Sequence, residues 1–242
     1  MEIKREKLWG IRKAIGCKLL GSLNSIPHAT IMTTVDMTQV VHIRNVYKEK
    51  GKSLSTTAFL LKAVATALKD YPQLNTRLEN NEIIYYDTAD AGIAVDTPRG
   101  LMVVTVRDVG AKSVWQITEE MRDLVTRLKA GRTAMEELGG STFSVSNEAM
   151  STNDYFNSII NNNECVIIGL ARYKKQLVVN EDDSLSIRQI GNIMGNYNHM
   201  LADGMPVAAF LGEISRLLSD PIGNLMEDEQ IVPPLETRKI HI

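Results

Sequence analysis

The chain has 242 residues, 44% hydrophobic and 23% charged, with 27 Lys and Arg against 29 Asp and Glu for a net charge of −2. That length allows one large core, and the charge balance leaves no basic excess for nucleic acid and no polybasic tract for a membrane surface. Cys17 and Cys165 lack CxxC spacing and are too few for a disulfide framework, no apolar run approaches the ~20 residues of a membrane span, and the charged start has no signal-peptide core. A cytoplasmic location is expected, with neither nucleic acid nor membrane as partner.

In chain order, the spacing of Leu8, Ile11, Ile15, Leu19 and Leu23 predicts a helix over 5–23, ended by Pro27. HATIMTTVDM reads as a strand and TQVVHIRNVYKEKG as a helix capped at Gly51. A second strong helix follows in STTAFLLKAVATALKDYP, with Ser55 at its N-cap and Ala58, Leu61, Ala65 and Leu68 on one face. Asn80-Asn81 marks a turn before the strand EIIYY. AGIAVD and LMVVTV flank the turn TPRG and predict a hairpin.

Residues 113–130 return to helical phase and stop at Gly131. STFSVSN and CVIIGLARY are strands either side of an Asn-rich loop, and LSIRQIGNIMGNYNHM is a longer strand. The last helix spans about 204–218. Beyond it, residues 222–242 form a tail without periodicity. This irregular interleaving predicts an α/β fold, a mixed sheet covered by helices, as one domain over residues 1–242.

Several chemistries lack their signals. There is no phosphate-binding glycine loop, no Gly-x-Ser-x-Gly elbow, and no histidine pairing that would hold zinc. Cys165 in the apolar strand CVII reads as a small buried hydrophobe rather than a nucleophile.

One short pattern carries chemistry: His199, three residues, then Asp203-Gly204. Its plain reading is a strand ending before a helix, with Asp203 as N-cap and Pro206 in the first turn. Its functional reading is a general base, since histidine titrates near neutrality. Acyl transfer to a thiol needs such a base and a donor for the oxyanion that forms. GGSTFSVSN supplies candidate hydroxyls, with Ser144 and Ser146 on one face of a strand and Ser141 expected on the other.

The chain resembles the catalytic domain of the 2-oxo acid dehydrogenase acyltransferases, the dihydrolipoyl acyltransferase components, which belong to the chloramphenicol acetyltransferase-like superfamily. The resemblance runs over about residues 10–221. It is carried by GIRKAIGCKLLGSLNSIPHATIMTTVDMT, TAFLLKAVATALKDYPQLN, GIAVDTPRGLMVVTVRD, GGSTFSVSN and NHMLADG. It implies a chloramphenicol acetyltransferase-like fold and acyl transfer between coenzyme A and a thiol such as dihydrolipoamide.

The resemblance also assigns roles. His199 would be the general base, Ser146 the donor to the tetrahedral oxyanion, and Asp203 a mainly structural group paired with Arg12. His28 would lie at the channel or at a strand edge. The active sites would form between subunits of a homotrimer, with no metal and no covalent enzyme intermediate.

The sequence departs from the family in four places. It shows no lipoyl or subunit-binding domain, so a separate lipoyl-carrier protein is the expected acyl source and no covalent lipoyl group is expected on this chain. Asn198 and Met200 flank His199 where the family has Asp and Arg. A proline pair is replaced within NNNEC. The longer tail, with Pro233-Pro234, favours a free trimer over a larger core. Two alternatives stand beside the main expectation: acyl transfer to a small hydroxyl or amine, and a non-catalytic trimeric scaffold.

Overall fold

Period-two and helical patterning resolve, in the computed structural model of the protein, into a mixed sheet accompanied by helices; residues 3–98, 100–161, 163–226, 235 and 239–240 are described. In chain order the elements begin with α1 (Gly10–Ser25), β1 (His28–Asp36), α2 (Thr38–Glu49) and α3 (Thr56–Ala67). Two hairpins follow, β2 (Thr76–Glu79) with β3 (Glu82–Tyr85) and β4 (Ala91–Thr97) with β5 (Gly100–Val106). Then come α4 (Val114–Lys129), β6 (Phe143–Asn147), β7 (Val166–Leu170), β8 (Lys174–Val179) and β9 (Leu185–Asn198). The chain closes with α5 (Gly204–Ser219), the short α6 (Pro221–Asn224) and β10 (Lys239–Ile240).

The main sheet runs β1-β9-β7-β6-β4-β5, with β8 and β10 also paired to the long strand β9. β6 is parallel to both β4 and β7, and the remaining pairs are antiparallel. A mixed sheet was the expectation, and its parallel pairs lie at the centre, where β6 sits between β4 and β7.

Local chemistry explains the boundaries. Ser113 caps α4 by a reciprocal capping box with Gln116. Gly131 (φ +69°) and Gly51 (φ +74°) end their helices in the left-handed conformation. Asn80 (φ 49°) and Asn81 (φ 65°) form the two-residue turn of the β2–β3 hairpin, with Glu79 opposite Glu82. Thr97 opposite Gly100 closes the β4–β5 hairpin at the predicted TPRG turn.

Ser55 sits at the N-cap of α3 but accepts no capping bond through its side chain. α3 is buried nearly all round, with Phe59, Leu60, Ala63 and Val64 inaccessible beside Ala58, Leu61 and Ala65. Phe143 and Val145 of β6, Ile168 of β7 and Phe210 and Ile214 of α5 join it in the main core.

α1 differs from its prediction. It begins at Gly10, where φ is +61°, rather than at residue 5. None of its residues is buried, and Ile11, Leu20 and Leu23 stay exposed. Among the described residues its apolar stripe is covered only in part, with Ile15 and Leu19 half-buried and Ile15 lying against Gly100 of β5. β8 was not anticipated, because it is exposed almost throughout and so has no buried face to impose alternation. Of the 222–242 tail, Leu235 is described and Lys239–Ile240 pairs with Leu185 and Ser186 of β9, whereas Pro233-Pro234 and His241 lie outside the described residues.

Candidate active site

The end of β9 presents His199 on a turn that is tied down from several directions. Asn198, fully buried, donates its backbone N–H to the Cys165 carbonyl (2.9 Å). Its side-chain Oδ1 accepts from the backbone N–H of Met200 (2.9 Å), and its carbonyl accepts from Leu201 and Ala202 (2.9 and 3.1 Å). The backbone N–H of His199 donates to the Pro27 carbonyl (3.0 Å). The turn geometry therefore uses the asparagine at 198 directly and leaves the Met200 side chain exposed.

The His199 imidazole is about half exposed and lies 5.2 Å from the Tyr197 ring, centroid to centroid. It borders a cavity of about 280 Å³ together with Gln73, Leu201 and Pro206. Its Nδ1 is 3.8 Å from Asp203 Oδ1, close enough for an electrostatic pair but beyond a hydrogen bond.

Asp203 holds the N-cap position of α5 in extended conformation, but its side chain caps nothing and is 89% exposed. The expected side-chain cap is not made, since the carboxylate turns toward His199. Nor is Arg12 brought to Asp203. It is exposed on α1, and the ionic neighbour of Asp203 within the chain is His199 itself.

Ser146 lies near the end of β6. No hydrogen bond joins its hydroxyl to another described residue, so the donor is free for a ligand. The next residue anchors the strand: Asn147 Nδ2 donates to Thr57 Oγ1 of α3 (2.8 Å), and its Oδ1 accepts from Ala149 N–H (2.9 Å). Beside Ser146, Gly169 of β7 leaves room for the Phe156 ring, which would stand 2.9 Å from a Cβ added there.

The other serines correct the expectation. Ser141 was placed on the face opposite Ser144. The strand begins only at Phe143, after a bend at Thr142, and the two hydroxyls converge. A Cβ added to Gly92 of β4 would lie 2.7 Å from Ser144 Oγ and 2.9 Å from Ser141 Oγ. Ser141 donates to Glu164 Oε1 at 2.5 Å. Glu164 is fully buried, and burial pushes its carboxyl up to about 7 against hydrogen bonds from Ser141 and Ser144 and the charge of Arg77. Sequence reasoning missed this group; the available signal was a lone carboxylate opening an apolar strand.

His199 and Ser146 do not meet within one chain. Ser146 stands level with Gly169, and Gly169 with Met194. His199 lies five residues beyond Met194, about 17 Å along the strand and ~10 Å across two strand spacings, a separation of about 20 Å. Ser146 also faces away from the main core, opposite Phe143 and Val145.

The remaining candidates resolve simply. Cys165 is buried, and burial pushes its thiol up to about 11, which leaves no thiolate nucleophile near neutral pH. His28 opens β1 opposite Asn198, with its Nε2 buried and unpartnered. Among the described residues no group of His, Cys, Asp and Glu could hold a metal, and no helix is long and apolar enough to cross a membrane.

Residues 1–226 match the family model of the 2-oxoacid dehydrogenases acyltransferase catalytic domain. The chain is 33% identical over 229 residues to the dihydrolipoyllysine-residue acetyltransferase component of the pyruvate dehydrogenase complex of Bacillus subtilis (strain 168). That match covers 92% of this chain and 52% of the relative. The chain thus spans about half the length of the curated relatives it matches.

Two solved structures share its fold at 26% identity and a TM-score of 0.87, each match covering 93% of this chain and 94% of the other. One is the dihydrolipoamide acetyltransferase of Azotobacter vinelandii, studied for the role of a serine, a histidine and an asparagine in its catalytic mechanism. The other is the cubic core of a pyruvate dehydrogenase multienzyme complex.

Proposed function

Because the chain belongs to the 2-oxo acid dehydrogenase acyltransferases, we propose that it moves an acyl group between coenzyme A and a thiol of the dihydrolipoamide type, in a site built by two subunits of a homotrimer. The observation that carries the reading is the His199 turn, which is fixed through its backbone and open at its imidazole. Nδ1 faces Asp203, leaving Nε2 for the acceptor thiol. His199 takes the thiol proton, and the thiolate adds to the thioester carbonyl. The hydroxyl of Ser146 from the adjoining subunit donates to the oxyanion of the tetrahedral intermediate. Collapse of that intermediate breaks the original carbon–sulfur bond, and the departing thiolate recovers the proton from His199.

The proton transfer is affordable. A thiol near 8.5 and an imidazole near 6.5 differ by about two units, or roughly 3 kcal/mol. One well-aimed oxyanion donor supplies about as much. A role for a serine and a histidine in the Azotobacter enzyme supports the assignments of Ser146 and His199. The ~20 Å between them in one chain supports a site completed by a second copy, as do the open apolar residues of α1. The cubic core formed by a structural relative supports repeated contacts between copies.

The test is turnover of acetyl-coenzyme A with dihydrolipoamide. His199→Ala should abolish it, and Ser146→Ala should lower kcat about 100-fold or more, with both variants keeping the native circular dichroism spectrum and oligomeric state. Undiminished turnover in His199→Ala would overturn the reading. A parallel panel of small hydroxyl and amine acceptors distinguishes the thiol from the other acceptor classes.

A further inference from the structure

On the face of the sheet that carries Ser146, a buried polar cluster joins four parts of the chain, and the mechanism above does not use it. Glu164, at the entry to β7, accepts at Oε1 from Ser141 Oγ (2.5 Å) and from Asn161 Nδ2 (3.4 Å). Asn161 Nδ2 also reaches Ser144 Oγ (3.4 Å). Arg77 of β2 forms an isolated β-bridge with Glu164, and its Nη2 donates to the Ser141 carbonyl. The charged groups facing the carboxyl are Arg77 and, from α1, Lys18. Among the described residues Glu164 Oε2 and Arg77 Nε find no hydrogen-bond partner, and both are buried.

Such a group is costly to keep. A buried polar atom without a partner forfeits its hydration with nothing in exchange. The cost has a geometric return on β6. Ser144 and Ser146 point the same way along one strand, about 7 Å apart. Gly92 leaves room for the Ser141 and Ser144 hydroxyls, because a Cβ there would collide with both. Asn147 pins the strand on its other side through Thr57. The row from Ser141 to Asn147 is thus held from both faces, with Ser146 between the two anchors.

We infer that Glu164 is a positioning residue for acyl transfer: through Ser141 and Ser144 it fixes the strand β6 and thereby the direction in which Ser146 donates. The inference rests on the reading of Ser146 as oxyanion donor and adds the group that aims it. A donor aimed at a developing charge loses its effect with small displacements. Loss of Glu164 should therefore act on turnover and leave ground-state binding nearly intact.

The experiment is a double-mutant cycle on the full chain in its native oligomer, with acetyl-coenzyme A and dihydrolipoamide as substrates. Glu164→Gln should lower kcat about tenfold with KM for acetyl-coenzyme A changed less than about twofold. In a Ser146→Ala background the same substitution should change kcat by less than about twofold, because the group it aims is gone. Gly92→Ala leaves the carboxyl in place and displaces the two serine hydroxyls. It should lower kcat in the same manner and likewise become silent in Ser146→Ala, which keeps the test open should Glu164→Gln fail to fold. Effects that multiply in the double variants, or a Glu164→Gln enzyme with wild-type kcat, would overturn the inference while leaving the role of Ser146 intact. A Ser146→Ala enzyme with wild-type kcat would instead remove the oxyanion reading itself.

Discussion

Glu164 also makes the stability of the protein depend on pH in a calculable way. Its carboxyl titrates at about 7 in the folded chain against an ordinary 4.5, chiefly because it is fully buried. Between those two values the folded state holds a proton that the unfolded state has released. The stability this group contributes is fully present below about 4.5 and is lost as pH rises through about 7. The shift of about 2.5 units corresponds to roughly 3 kcal/mol, spread over that window at about 1.4 kcal/mol per pH unit.

Glu164→Gln removes the titration at nearly constant side-chain size. Urea unfolding of both proteins at pH 5 and pH 8, at one protein concentration so that subunit association is held constant, isolates the effect, since titrating groups that do not interact with Glu164 cancel in the difference. The wild type should lose about 2–3 kcal/mol relative to the variant between the two pH values. A stability difference that does not change with pH would refute the account of Glu164 as a carboxyl destabilised by burial.

Other expectations follow from the same coordinates. Mixing equal amounts of His199→Ala and Ser146→Ala chains and reassembling them should restore about a quarter of wild-type turnover, since a site drawing the two groups from different subunits is intact in about one of four random pairings. No recovery would place both groups in one chain. Asn198→Ala removes the bond to the Met200 amide and should cost about 1–2 kcal/mol in urea unfolding along with a reduced kcat; unchanged stability would show that the turn is held elsewhere. Cys165→Ala should keep kcat within about threefold of wild type, the thiol being a buried hydrophobe. A loss far beyond that would return Cys165 to the list of reacting groups.

Much of the architecture could be read from the sequence because burial imposes a period on it. α3, α4 and α5 bury apolar positions; α4 and α5 fall within a residue of the expectation, and α3 ends at Ala67, about four residues before the expected stop at Pro72. The hairpin at Thr97 and Gly100 and the turn at Asn80-Asn81 carry residues that tolerate positive φ or close a tight loop. What escaped has no such imprint. β8 shows water to both faces, so nothing in its residues alternates. α1 has a helical apolar stripe, but the described residues bury none of it fully. The convergence of Ser141 with Ser144 depends on a bend at Thr142 that a threonine in a β-branched run does not announce.

The site divides along the same line. His199 and Asp203 are candidates from one short pattern, and Ser146 is chosen among three serines by the family resemblance alone. Their relation in space could not be read in this way. The register of three strands sets it, Ser146 with Gly169 and Gly169 with Met194, and that register puts base and donor at opposite ends and on opposite faces of one sheet. A sheet residue advances about 3.4 Å and a neighbouring strand about 4.8 Å, so no rotamer of either side chain closes a gap of about 20 Å. Catalysis by this pair therefore demands a second chain whose own β6 reaches the His199 turn. The exposed imidazole, the free Ser146 hydroxyl and the open residues of α1 are each consistent with that demand.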